Sequence, residues 1–173
     1  QNTEGETQAV LTQINKAYGF IPSLFGYMAE APSTLKAYLE LNRLLAEETS
    51  FSGAQLQVAL LTVSIENGCE FCTIAHRAMA KKFSANAATI RSLVEGVDIT
   101  DKTEKVLVDT IVSIVRNRGW LKEGEMDTFL AAGFSRKQYL ELILVVAIKT
   151  LSNYINHQTN PEPNEELLAM LDD

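Results

Sequence analysis

Three stretches of this chain set a capping residue three places before a glutamine or glutamate: Ser52-Gly53-Ala54-Gln55, Asp101-Lys102-Thr103-Glu104 and Ser135-Arg136-Lys137-Gln138. In that pattern the first side chain accepts from a free helical N–H and the fourth reaches back, so each marks a helix start. After Asp101, Val106, Leu107, Ile111, Ile114 and Val115 recur at helical spacing as far as Arg118-Gly119. After Ser52 the run holds Val58, Thr62, Val63 and Ile65, whose β-branches also suit a strand. The cap, and a length of about 13 residues before Asn67-Gly68, favour helix. After Ser135 a helix is expected from Tyr139 to about Asn156, apolar nearly all round from Leu140 to Ile148. Such a helix lies at the centre of a domain or under a partner subunit.

The rest of the chain reads in the same way. Val10, Leu11, Ile14 and Ala17 hold a short helical pattern before Tyr18-Gly19, and Pro22 turns the chain into another short helix. Pro32-Ser33 opens a helix to Glu48, Cys69 one to about Phe83, and Ser84 is expected to cap a short one ending near Gly96. Two more are expected over about Lys122 to Ala132 and from Glu165 to Leu171. Residues 1–7 are polar and expected to be flexible. No alternating strand pair, repeat or linker interrupts this pattern. The fold expected is therefore a single all-α domain over residues 1–173, with its core motif at about residues 52–83.

A chain of 173 residues can bury a core without disulfide staples. Its net charge of −7 argues against nucleic acid and anionic membrane surfaces, which need clustered Lys and Arg. The longest apolar stretch, Leu142 to Ile148, is too short to span a bilayer. The chain begins at Gln1, so the true N-terminus is expected to lie upstream. Both cysteines sit in one C-x-x-C, which argues against a secreted disulfide framework and for a reducing, cytoplasmic setting.

That C-x-x-C carries the chemistry. In Asn67-Gly68-Cys69-Glu70-Phe71-Cys72-Thr73-Ile74-Ala75-His76 the two thiols and the imidazole fall within about 60° of one another on a helix. Three readings compete. Two buried cysteines beside a satisfied histidine would be plain core. Cys69, Cys72 and His76 with His157 would make a four-ligand zinc set, but a lone C-x-x-C on one straight helix splays poorly around a tetrahedral ion. The third reading is thiol redox catalysis. A helix start stabilises thiolate, and His76, four residues past Cys72, can take its proton. Attack of the Cys72 thiolate on a peroxide bond leaves a sulfenic acid, which Cys69 condenses to a disulfide. An external dithiol or thioredoxin-like reductant resets the pair. A thioredoxin fold itself fits poorly, because no strand precedes Cys69.

With these residues in view, the chain resembles the alkylhydroperoxidase D-like, peroxidase-related branch of the carboxymuconolactone decarboxylase family. The resemblance is close from about Gln55 to Lys82 and looser through Asn153-Tyr154-Ile155-Asn156-His157. It implies an all-helical AhpD-like subunit that forms a homo-oligomer (dimer, trimer or trimer of dimers). It also implies peroxidase or disulfide-reductase activity without haem, flavin or metal. By position, Cys72 resembles the peroxidatic cysteine, Cys69 the resolving one and His76 the histidine of the proton relay. Members with the decarboxylase activity generally lack the cysteine pair. The best-studied branch carries a glutamate twelve residues before the first cysteine, and here that place is Gln57, which cannot accept a proton at neutral pH. Glu66 is the other carboxylate at hand, although it lies about 180° from Gln57 on an ideal helix.

The function expected is reduction of alkyl hydroperoxides or hydrogen peroxide, with Cys72 attacking, Cys69 resolving and His76 moving protons. A dithiol-disulfide reductase and a non-catalytic, oxidant-sensing assembly protein are the alternatives. His157 reads first as a cation favoured at a helix C-terminus, Trp120 as a packing anchor, and Phe20, Phe25, Tyr27 and Met28 as core or as a pocket wall.

Overall fold

The computed structural model describes residues 3–172, with the side chains of residues 5–171. Among the described residues there are ten helices and no strand. They are α1 (Thr3–Tyr18), α2 (Ser23–Met28), α3 (Pro32–Glu48), α4 (Gly53–Glu66), α5 (Glu70–Lys82), α6 (Ala87–Glu95), α7 (Lys102–Arg116), α8 (Glu125–Ala131), α9 (Arg136–Thr159) and α10 (Glu165–Asp172). None of the described helices is long and apolar enough to cross a membrane.

The helix at the centre is α4. Leu56 to Ser64 are buried without interruption, and the helix packs against α5, α6, α7 and α9. A helix wrapped on all sides needs apolar residues on all sides, which explains the absence of a polar stripe and the β-branches that had also suggested a strand. Two of its polar groups are satisfied within the helix: Thr62 Oγ1 donates to the Val58 carbonyl at 2.8 Å and Ser64 Oγ to that of Leu60 at 2.7 Å. The capping boxes at Ser52 and Ser135 form as expected, and the Asp101 side chain accepts from Glu104 N–H.

The joint between α4 and α5 sets the cysteines. Gly68 takes φ +66°, a left-handed value that suits glycine, and Cys69 N–H reaches back to the Ser64 carbonyl at 2.9 Å. Cys69 is thereby left as the extended N-cap of α5, and Cys72 falls in its first turn. A tie from Asn67 Nδ2 to Asn153 Oδ1, 2.9 Å, pins the joint to α9.

Several boundaries differ from the sequence reading. Residues 3–7 belong to α1 rather than fraying, with Glu6 paired to Lys36 of α3 at 2.7 Å; Gln1 and Asn2 lie outside the described residues. Asn86, not Ser84, caps α6: Ser84 is spent ending α5, at φ +54°, while Asn86 Oδ1 accepts from Ala88 N–H at 3.1 Å. The helix α8 begins at Glu125, because Lys122–Gly124 form a turn whose Lys122 N–H is held by the Glu125 carboxylate. Trp120 is no packing anchor; it is 80% exposed. Phe25 and Met28 are core, whereas Tyr27 is exposed. The helix α9 leaves Leu140, Ile143 and Tyr154 on the surface.

Leu61 is fully buried at the middle of α4. Leu61→Ala should cost about 2–5 kcal/mol. The check is urea unfolding, with a lower midpoint at an unchanged slope.

Candidate active site

Cys69 and Cys72 are both free thiols and both buried. The α5 start brings them together from one side, and α9 closes over them from the other. Asn156 of α9 donates its side-chain N–H to the Cys72 sulfur at 3.1 Å and to the Cys69 sulfur at 3.8 Å. Lys149, two turns earlier on α9 and only 2% exposed, supplies a charge to the same place.

The imidazole of His76 lies between two neighbours. Its Nδ1 stands 3.0 Å from Gln57 Oε1, and its Nε2 stands 2.9 Å from Lys149 Nζ. An amide oxygen only accepts and an ammonium only donates. Nδ1 therefore carries the proton and Nε2 is bare, so His76 is held neutral from both sides. Burial first, and the Lys149 charge second, keep its pKa well below the ordinary histidine value.

The cysteines are pushed apart in acidity. A hydrogen bond from the Cys69 thiol leads in lowering the Cys72 pKa well below the usual thiol range, with the Lys149 charge, a Lys149 hydrogen bond and the Asn156 hydrogen bond acting in the same direction against burial. Cys69, the donor in that pair, is pushed up, chiefly by this bond and by burial. Both directions favour Cys72 as the thiolate and Cys69 as the thiol that donates to it.

Four of the five residues singled out in the sequence come together here: Cys69, Cys72, His76 and Gln57. Glu66 does not. It faces α7, where its two oxygens take Arg116 at 2.6 and 3.0 Å. The half-turn that separates it from Gln57 on α4 sends it to the opposite side of the helix. His76 also departs from the expected contact, since its bonded partners are Gln57 and Lys149 rather than Cys72. His157 is exposed at the end of α9, stacked on Tyr154 with ring centres 6.1 Å apart. Among the described residues no group of His, Cys, Asp and Glu is arranged to hold a metal ion.

Sequence reading missed Lys149 and Asn156. Their signal was present: Lys149, Asn153 and Asn156 stand at i, i+4 and i+7 on α9, a polar stripe on one face of an otherwise apolar helix. All three are buried.

Residues 32–107 match the carboxymuconolactone decarboxylase family. The matched span holds Gln57, both cysteines and His76, and ends before Lys149 and Asn156. No curated protein sequence matches the chain. The fold is similar to that of solved structures along nearly all of its length. The alkylhydroperoxidase AhpD core, peroxidase-related protein from Ralstonia eutropha JMP134 superposes with a TM-score of 0.85 at 17% identity, over 98% of this chain and 90% of that one. A peroxidase-related protein from Silicibacter sp. TM1040 gives 0.81 at 22% identity, over 96% and 89%. The debrominase Bmp8 gives 0.78 at 16% identity, over 99% and 94%. Residues 32–107 thus match the carboxymuconolactone decarboxylase family, and the chain carries the AhpD-like, all-helical fold.

Proposed function

We propose that the protein is a thiol-dependent peroxidase that reduces alkyl hydroperoxides or hydrogen peroxide through a Cys69–Cys72 dithiol/disulfide cycle. The observation that carries this reading is the Cys72 sulfur itself: it accepts from Asn156 at 3.1 Å, lies beside Lys149 and has a thiol partner in Cys69. Two structures of like fold bear peroxidase-related names, which supports the same assignment.

The chemistry follows from the geometry. The Cys72 thiolate gives an electron pair to the outer oxygen of the hydroperoxide. The S–O bond forms as the O–O bond breaks, and the alkoxide leaves. Lys149 supplies the proton that turns it into alcohol. His76 enters as the acceptor that aims the ammonium, through a bare Nε2 whose orientation Gln57 fixes on the far side of the ring. The Cys69 thiol then attacks the sulfenic sulfur of Cys72, closing the disulfide and releasing water. An external dithiol or a thioredoxin-like protein returns both thiols. No metal or organic cofactor enters the scheme. The apolar residues left bare on α9, Leu140, Ile143 and Tyr154, support assembly into a homo-oligomer. A reducing, cytoplasmic setting suits a cycle that draws on external thiols.

Consumption of tert-butyl hydroperoxide with excess dithiothreitol tests the proposal. Cys72→Ser should abolish turnover, and Cys69→Ser should leave a sulfenic acid on Cys72 that dimedone traps. Full turnover in Cys72→Ser would overturn the roles. A single round of oxidation in the native protein would favour the oxidant-sensing alternative.

The Lys149 charge can be tested separately. Because the Cys72 pKa is lowered, its thiolate persists below the ordinary thiol range and is lost only as the pH falls through the lowered value. Lys149→Met should raise that value and slow iodoacetamide alkylation of Cys72 about tenfold on the acid limb. Lys149→Arg should recover part of the loss, and an unmoved pH profile in Lys149→Met would refute the charge role.

A further inference from the structure

The two cysteines are equally buried, at 2% exposed each, but only one of them borders open space. A cavity of about 350 Å3 opens between the start of α5 and the end of α9, with Gly68, Cys69, Asn156, His157, Pro161 and Glu162 among its walls. Cys69 lines it and Cys72 does not. One wall atom is unsatisfied. Asn156 is 4% exposed and donates to both sulfurs, yet its carbonyl oxygen Oδ1 finds no hydrogen-bond partner among the described residues. That oxygen has almost no exposed surface, so it marks the sealed side of the amide and not a contact for a ligand.

We infer that this cavity is the port of the reductant, and that the incoming thiolate attacks the Cys69 sulfur of the Cys69–Cys72 disulfide. The inference rests on the thiol cycle proposed above. The thiolate gives its electron pair to Cys69 Sγ, a new S–S bond forms to the reductant, the Cys69–Cys72 bond breaks and Cys72 leaves as thiolate. A second thiol then attacks the mixed disulfide, frees Cys69 and carries the oxidation away. Access and chemistry agree on this direction. The cavity reaches only the Cys69 side, and the better leaving group is the thiolate already stabilised by Lys149 and Asn156.

The walls also define the reductant class. It is a slim thiol, cationic or neutral, that can pass between acidic walls. Glu70 and Glu162 line the same cavity and disfavour a thiol that carries a carboxylate.

The test begins from protein oxidised with diamide, so that no peroxide is involved. Cysteamine is added, the mixture is quenched with N-ethylmaleimide, and the peptide holding both cysteines is fragmented in a mass spectrometer. Cysteamine on Cys69 with maleimide on Cys72 is expected. The reverse pattern, or an even mixture, overturns the assignment. Reduction by cysteamine should also outpace reduction by mercaptoacetate severalfold, each rate taken relative to that with a small soluble disulfide, and Glu162→Gln should narrow the gap. Equal relative rates would overturn the reductant class. Failure of hydroperoxide turnover alongside the expected labelling would remove the peroxidase reading and leave the port standing.

Discussion

An ammonium group sits inside this protein without a carboxylate to answer it. None of the ion pairs among the described residues includes Lys149. A buried cation with no counter-charge is costly, and the local structure is built around meeting that cost. The bare Nε2 of His76 takes one of its protons, and the sulfur of Cys72 supplies negative charge. The rest of the polar site follows. His76 must be neutral to accept, so its proton sits on Nδ1, and the partner there must be an acceptor. Gln57 fills that place without adding charge. Where the family resemblance implies a carboxylate on the helix before the cysteines, this chain has an amide there and brings a cation from α9.

Such an arrangement works only if three helices keep their register. The burial of α4 on every side fixes the azimuth of Gln57, and the left-handed turn at Gly68 fixes where α5 begins. The Asn67–Asn153 bond then ties that turn to α9, which delivers Lys149 and Asn156. The packing of the buried α4 residues before this joint is thus part of the site.

How far the sequence discloses this can be judged from particular residues. Ser52, Asp101 and Ser135 announce their helices because a cap is a local interaction, settled within four residues. Cys69, Cys72 and His76 are legible for the same reason: they follow one another within about two turns at the start of α5. Gln57 is legible by its position relative to the first cysteine. Lys149 and Asn156 are not, since they reach the thiols only through the packing of α9 on α5, across more than seventy residues of chain. A lysine directly after Ile148 reads as the polar end of an apolar run. Glu66 misleads for the opposite reason. It is near Gln57 in the chain, but helical geometry turns it to α7 and Arg116. Trp120 shows the limit of composition, since a lone large aromatic after a glycine can as well be surface.

The placing of Lys149 also bears on which oxidation state the protein prefers. In the dithiol form the ammonium faces a thiolate, and the pair is close to neutral. In the proposed cycle, closing the disulfide removes that negative charge. Once Lys149 regains the proton it gave to the alkoxide, the ammonium lies buried beside a neutral imidazole and two neutral sulfurs. The interactions that stabilise the thiolate are lost in the oxidised form, so they weigh on the reduced side of the couple. In the proposed cycle a disulfide held next to such a group is therefore biased toward opening, because reduction restores the charge that the ammonium lacks.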